Sequence, residues 1–354
     1  MAEKPIIGIT MGDPAGNGPE ITVKALAHSD VYDRCRPIVI GDKKMLEQAT
    51  RFVHMPEIKI HECKEVGDAL FTPGTIDVLH MELIPDVNAF EIGKVSKEGG
   101  NAAFQCVKKV IDLALAGEVD ATVTNALNKE AMNLALADQG MHFDGHTEIY
   151  ATYTNTKKYT MMLAHNDLRV VHVSTHCSLR EACDRVKKER VLEVIEIANK
   201  ACREMGIENP KIAVAGLNPH CGEHGLFGTE EIEEISPAVE AAKAEGINAI
   251  GPIPPDSVFS EALGGWYDIV VCMYHDQGHI PLKTVGFVYD REKQAWKAVA
   301  GVNITLGLPI IRTSVDHGTG FALAGKGTSN ELSLINAVDY AIRMGAYRKQ
   351  NQQA

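Results

Sequence analysis

The sequence predicts an α/β protein with a largely parallel sheet covered on both faces. Short apolar, β-rich runs alternate with helical patterns from one end of the chain to the other. Of the 354 residues, 45% are apolar and 23% charged, ordinary values for a chain that buries a large core. No internal repeat or low-complexity tract interrupts the alternation. At roughly 100–200 residues per domain the length suggests two domains, or three. No linker-like stretch separates them, so the chain is expected to interweave them.

The same arithmetic excludes several classes. Disorder, collagen-like repeats and small disulfide scaffolds do not fit this composition. Asp and Glu total 47 against 35 Lys and Arg, a formal charge of −12. A nucleic-acid partner or an anionic membrane surface needs a basic excess, so neither is expected. A small anion held by one or two basic side chains is still compatible. No apolar stretch approaches the roughly 20 residues that span a bilayer. The eight cysteines form no C-x-x-C pair, and the first residues lack the basic and apolar regions of a secretion signal, which points to reduced thiols in a cytoplasm.

Taken in order, the first strand is read at residues 6–10. It runs into MGDPAGNGPEI at 11–21, where Gly12, Gly16 and Gly18 allow tight turns and Pro19 suits the first turn of a helix. Gly12 and Asp13 are cofactor-binding candidates there; a plain structural turn fits the residues equally well. The loop lacks the Lys-Ser/Thr of a Walker motif and the spacing of a Rossmann fingerprint. Strands follow at 38–40, 58–61, 75–80 and 121–124, with a helix over 99–116 that stops before Gly117. Gly145, His146, Thr147 and Glu148 come next. His146 and Thr147 can donate to a phosphate or carboxylate, or Thr147 can simply cap a helix.

Strands at 159–163, 170–174, 211–215 and 269–273 predict the next part, with helices over 179–205 and 229–244. Three histidines occupy one kind of position: His176 ends VVHVSTH, His220 ends IAVAGLNPH and His275 ends DIVVCMYH. Each follows an apolar strand and precedes a loop. Ligands of open α/β sheets bind outside the carboxyl ends of strands, and three neutral imidazoles suit Zn²⁺ or a similar cation while leaving a position open. Any one alone reads first as a loop histidine with a local hydrogen bond, and the threefold recurrence shifts the balance toward a site. Cys177, Cys221 and Cys272 are read as buried bystanders. His275 and His279 have helical i, i+4 spacing, but Gly278 and Pro281 argue against a helix there. Asp256 and Asp276 are candidates for orienting a histidine or moving a proton, and for turn capping otherwise.

Lys283, Asn303 and Arg312 close the set of polar candidates. Lys and Arg pair with phosphate and carboxylate, and Arg312 is read as ending an apolar strand over 309–313 that would otherwise bury it. A polar run, YDREKQAWK at 289–297, reads as an inserted surface excursion. The glycine-rich DHGTGFALAGKGTSN at 316–330 can admit a nucleotide, which makes His317, Gly318, Thr319, Gly325 and Asn330 further cofactor candidates; a plain glycine-rich loop is the alternative. A helix over 329–344 ends the pattern.

Together MGDPAGNGPE, GHTE, VSTH, LNPHCGE, YHDQGHIPLK and GVNITLGLPIIRTSVDHGT resemble the 4-hydroxythreonine-4-phosphate dehydrogenases of vitamin B6 biosynthesis and their relatives acting on threonate or erythronate 4-phosphate. The resemblance spans essentially the whole chain, with six motifs in family order. GDPAGNGPE and HGTGFALAGKGTSN are more distantly similar to loops of isocitrate and isopropylmalate dehydrogenases, which bind NAD(P) without a Rossmann fingerprint. The resemblance implies that two-domain fold, with an active-site cleft between the domains. It places 1–140 plus 300–354 in a first, NAD-binding domain, and 141–299 in a second that carries the metal and the dimer interface. It implies NAD- or NADP-dependent oxidation of a secondary alcohol followed by loss of CO₂ from the 3-keto acid.

By the same resemblance His176, His220 and His275 match the ligands of a divalent metal (Zn, Mg, Co or Mn). His146, Thr147, Lys283, Asn303 and Arg312 match substrate-binding positions, and a homodimer with a shared active site follows. VYDREKQAWKAVA, between Phe287 and Gly301, departs from the family pattern. HVSTH, HGLFGTEE and YHDQGHIPLK lie closer to the sugar-acid phosphate branch. Other readings of the residues are a metal-dependent lyase or hydrolase acting on a phosphorylated acid, and a non-catalytic sensor of such acids.

Overall fold

The computed structural model describes residues 3–292 and 295–352. Two compact units divide the chain: residues 1–156 with 308–354, and residues 157–307. The first unit is thus made from both ends of the sequence.

Along the chain the first unit opens with β1 (Ile6–Thr10), α1 (Gly18–Ala27), α2 (Ser29–Arg34), β2 (Arg36–Gly41), α3 (Lys43–Phe52) and β3 (Lys59–Cys63). It continues through β4 (Thr75–His80), α4 (Lys97–Leu115), β5 (Ala121–Thr124), α5 (Lys129–Leu136) and α6 (His146–Tyr153). The second unit holds β6 (Thr160–His165), β7 (Leu168–His172), α7 (Leu179–Asp184), α8 (Lys188–Glu204), β8 (Ile212–Ala215), α9 (Ser236–Ala244) and β9 (Ala249–Ile253). Then come α10 (Val258–Leu263), β10 (Ile269–Cys272), α11 (His275–Gly286), β11 (Phe287–Asp290), β12 (Ala295–Val299) and β13 (Val302–Leu306). The chain returns to the first unit with β14 (Arg312–Val315) and α12 (Leu332–Gln352).

In the first unit the strand order is β3-β4-β2-β1-β5-β14, with every pairing parallel. Fully buried runs such as Ile7, Ile9, Ile38, Ile40 and Val123 carry the centre of this sheet, as parallel strands covered on both faces require. Phe104, Val107, Val110 and Ile111 of α4 join Ile38, Ile40, Leu79 and Tyr150 in one apolar cluster. Chain order reverses beside β1: β2 lies on one side and β5 on the other.

In the second unit the order is β13-β6-β7-β10-β8-β9. β6 pairs antiparallel with β13 and β7, and the remaining pairings are parallel. The polar insert forms a separate two-stranded hairpin, β11 antiparallel to β12. Two residues of that excursion, Lys293 and Gln294, lie outside the described residues. No helix among the described residues is long and apolar enough to cross a membrane.

Several sequence-based expectations are corrected. The helix expected over 179–205 is two helices, α7 and α8. The chain between them extends to bury Val186 completely, and Glu234 accepts the Lys188 backbone N–H at 2.8 Å, a cap supplied from outside the helix. The 229–244 stretch begins with a π-helical turn at Glu231–Ile235 before α9. Gly278 and Pro281 do lie within a helix, α11. A Cβ at Gly278 would stand 2.6 Å from His172 Nε2, so the missing side chain lets α11 settle against β7. His275 therefore opens a helix and does not precede a loop. Arg312 opens β14 and does not end a strand: Pro309 lacks an N–H, and ladder pairing starts only at Arg312↔Thr122. The final helix starts at Leu332, where Asn330 Oδ1 accepts the Leu332 N–H at 2.7 Å.

Candidate active site

The second unit brings its three histidine-bearing segments to one edge. β7, β10 and β8 are adjacent and parallel, so the segments leaving their carboxyl ends, with His176, His275 and His220, emerge on the same side of the sheet. His176 and His275 have ring centroids 6.0 Å apart. Both line a cavity of about 320 Å³ together with Cys177 and Asp276. Asp276 Oδ1 lies 2.7 Å from His275 Nδ1, which leaves Nε2 as the ring's other nitrogen for a ligand. His279 stacks on His275 at 3.5 Å between centroids, and its Nδ1 donates to the His275 carbonyl at 2.8 Å.

His220 sits in a left-handed turn, residues His220 to His224, with φ between 43° and 76°. Such backbone costs about 1–2 kcal/mol per non-glycine residue and persists only where the surroundings hold it. Glu231, 2% exposed, provides the hold. Its Oε1 accepts the backbone N–H groups of Leu217 and Asn218, both at 2.7 Å. Gln277 ties this segment to that of His275: Oε1 accepts Met273 N–H at 2.7 Å and Nε2 donates to Gly216 carbonyl at 2.8 Å. The donor atoms of His176, His220 and His275 do not all lie within 4.8 Å of one another; among the described residues only His61, Cys63 and Asp77 do.

Three imidazoles at neighbouring strand ends, one with a carboxylate behind it, still form a donor set whose chemistry suits a divalent cation. Cys177 and Cys221 are only half buried, so they are not the sequestered bystanders that the sequence reading made them. Burial and the nearby Glu231 push the Cys221 thiol up to about 11, which keeps it protonated in the absence of a cation.

Two other polar candidates belong to the second unit. Lys283, two turns along α11, carries its ammonium 5.5 Å from the Phe287 ring centroid. Asn303 on β13 donates to Met161 Sδ at 2.9 Å, while its buried Oδ1 has no hydrogen-bond partner among the described residues. Asp256 is exposed just before α10, and its charge is among those that raise the Cys221 pKa.

The first unit gathers a second group where its strand order reverses. The glycine-rich segment after β1 and the 316–330 segment after β14 interlock. Asn17 N–H donates to Thr319 carbonyl at 2.8 Å, Asn17 Nδ2 to Ser329 Oγ at 3.1 Å and Lys24 Nζ to Ser329 carbonyl at 2.7 Å. Glu20, 2% exposed, accepts the backbone N–H groups of Gly325 and Gly327. Gly12 holds φ +80, and a Cβ there would stand 2.8 Å from Ala126 carbonyl; the turn requires glycine. Of the cofactor candidates, Asn330 caps α12. His317 donates Nδ1 to Gly318 carbonyl at 2.8 Å and leaves a buried Nε2 with no partner among the described residues.

Asp13, 1% exposed, accepts Ala15 N–H at 2.9 Å. Burial nevertheless pushes its carboxyl up to about 6. A carboxyl whose folded pKa exceeds its unfolded value destabilises the fold progressively as pH rises between the two. Asp13→Asn is therefore expected to stabilise the chain above pH 6 by up to about 3 kcal/mol, with the difference vanishing below pH 4. Denaturant unfolding at both pH values checks this, and a gain independent of pH contradicts it.

Arg312 and His146 complete the first unit's set. Arg312 is 3% exposed, and its Nη2 and Nε donate to Thr124 Oγ1 at 2.9 and 3.3 Å. Its guanidinium carbon lies 5.8 Å from the Tyr150 ring centroid. Burial lowers its pKa to about 10, which leaves it cationic at neutral pH. His146 opens α6 behind Gly145, so Thr147 is not the cap. Burial, Arg312 and Lys129 together hold the His146 ring well below the usual histidine range. It is neutral, with a buried Nε2 that has no partner among the described residues. A buried cation beside an unsatisfied ring nitrogen has the chemistry to suit an anion.

The pattern of the family described as pyridoxal phosphate biosynthetic protein PdxA matches residues 33–341. The chain belongs to the PdxA family. A D-threonate 4-phosphate dehydrogenase of Pectobacterium atrosepticum is 45% identical over 339 residues, covering 96% of this chain and 99% of that protein. The solved 4-hydroxythreonine-4-phosphate dehydrogenase of Burkholderia phymatum is 44% identical with a TM-score of 0.81, covering 96% of this chain and 98% of that one. For the Klebsiella pneumoniae 4-hydroxythreonine-4-phosphate dehydrogenase the figures are 41% and 0.83, covering 97% of this chain and 100% of that one.

Within this PdxA-family chain, sequence reasoning overlooked Gln277, Glu231, Glu20 and Asn17. Each lies inside a quoted motif or one helix away from it.

Proposed function

We propose that this PdxA-family chain oxidises the secondary alcohol of a 4-phosphorylated four-carbon hydroxy acid, D-threonate 4-phosphate foremost, with NAD or NADP as acceptor. The observation that carries the reading is the placement of His176, His275 and His220 at the carboxyl ends of three adjacent parallel strands. The curated relative named for D-threonate 4-phosphate, 45% identical to this chain, favours that substrate over the B6 precursor. D-Erythronate 4-phosphate and 4-phosphohydroxy-L-threonine are the near alternatives.

His176, His220 and His275 are the residues that would hold a divalent cation of the Zn, Mg, Co or Mn kind. Such a cation, when bound, supplies charge that lowers the pKa of the substrate hydroxyl and stabilises the enolate left by CO₂. Asp276 keeps the His275 ring oriented. Asp256 is the carboxylate for the hydroxyl proton as the C–H hydride leaves to the nicotinamide. Arg312 and Lys283 bind the phosphate and carboxylate, with His146, Thr147 and Asn303 contacting hydroxyl groups. Loss of CO₂ from the 3-keto acid leaves a three-carbon phosphorylated ketone. Gly12, Asp13, His317, Gly318, Thr319 and Gly325 form the dinucleotide side of the arrangement. The working form is a cytoplasmic homodimer, a reading supported by the family resemblance.

The test is an NADH-formation assay of the purified chain with a divalent cation, NAD⁺ and each of the three phosphorylated acids. D-Threonate 4-phosphate is expected to turn over with one NADH per CO₂. Turnover that proceeds without NAD⁺, or none with any of the three, defeats the reading.

A further inference from the structure

The first unit carries a donor cluster that the proposed reaction does not use. His61 and Cys63 alternate along β3, so both side chains stand on one face of the sheet. Asp77 on β4 is the register partner of His61 and shares that face. His61 Nδ1 lies 2.8 Å from Asp77 Oδ1 and 3.5 Å from Cys63 Sγ. All three donor atoms fall within 4.8 Å of one another, the one such triple among the described residues.

We propose that His61, Cys63 and Asp77 bind a thiophilic divalent cation, zinc in character, at the edge of the first unit's sheet. The donor set is the mixed nitrogen, sulfur and oxygen type that zinc takes. With metal–ligand distances near 2.0–2.3 Å, tetrahedral geometry separates nitrogen and sulfur donors by about 3.5 Å and nitrogen and oxygen donors by about 3.3 Å. The first already holds here, and the second needs an opening of roughly half an ångström, within reach of a χ adjustment of the half-exposed His61 side chain.

The surroundings are those of a ligand set. The Asp77 side chain is 0% exposed. Its Oδ1 accepts Leu70 N–H at 3.1 Å and its Oδ2 accepts Phe71 N–H at 2.8 Å, the outer-layer support that fixes a coordinating carboxylate. β3 is the outermost strand of this sheet and the His61 side chain is 34% exposed, which gives the ion an entry path and leaves a fourth position for water.

Titration of the chelator-treated full chain with Co²⁺ tests the proposal. A thiolate-to-cobalt charge-transfer band in the near ultraviolet is expected at one equivalent per chain, because an all-histidine site produces none. Cys63→Ser should abolish the band and lower the bound-cobalt stoichiometry by one, while Cys177→Ser and Cys221→Ser retain both. His61→Gln, which keeps the side-chain bulk should the serine variant not fold, should weaken the band's apparent affinity at least about tenfold. No band in the parent chain overturns the proposal, as does a band that survives Cys63→Ser or is unaffected by His61→Gln. These outcomes are independent of whether the histidines of the second unit bind a metal.

Discussion

His220→Asn is expected to lower kcat/KM for NADH formation by at least about 10³-fold while leaving the fold intact. Polarisation of a substrate oxygen by a bound cation contributes several kcal/mol to the transition state, and each 1.36 kcal/mol is a factor of ten. Removing one of the three proposed ligands forfeits most of it. Asparagine is the informative replacement because His220 holds φ 50, and asparagine tolerates that backbone better than alanine. The side chain is exposed, so its loss leaves no cavity. Circular dichroism should match the parent, and bound metal per chain should fall. A variant with parental kcat/KM contradicts the assignment of His220.

Arg312→Lys is expected to raise KM for the phosphorylated acid by about 10²-fold or more, with a smaller change in kcat. Hydrogen bonds to charged groups contribute about 1.5–3 kcal/mol each, and lysine offers a point charge in place of a planar fork. The charge itself is conserved, so the variant tests the geometry of the guanidinium and not its sign. Steady-state kinetics checks it: a KM within about twofold of the parent sinks the role given to Arg312.

The parts of this architecture written in local sequence were legible. VVHVSTH, IAVAGLNPH and DIVVCMYH are apolar runs that end in a polar residue, and a parallel sheet buries the run and releases the histidine at its end. What escaped was set by partners far along the chain. α8 takes its N-terminal cap from Glu234, so no local signal marks the break after α7. α11 runs through Gly278 and Pro281 because the glycine fits against His172 and because Gln277 anchors the first turn to β8 and β10. Propensity predicts a break there, and tertiary contacts override it. Arg312 looked like the end of a strand because its neighbours are apolar, yet Pro309 delays the ladder until the arginine itself. The buried acids Glu20 and Glu231 lie inside quoted motifs without a role assigned to them. Their work is to hold backbone N–H groups of distant loops, and no spacing rule records that.

The bonds from Asn17, Glu20 and Lys24 to residues 319–329 join segments some 300 positions apart. During synthesis from the amino end, the opening half of the first unit emerges early but lacks both the strand beside β5 and the lid of its own glycine turn. The interior unit, whose segments are contiguous, is complete before residues 308–354 leave the ribosome. Ribosome-bound intermediates should therefore show the later-encoded module protected from protease while the leading portion stays cleavable until residues 308–354 have emerged.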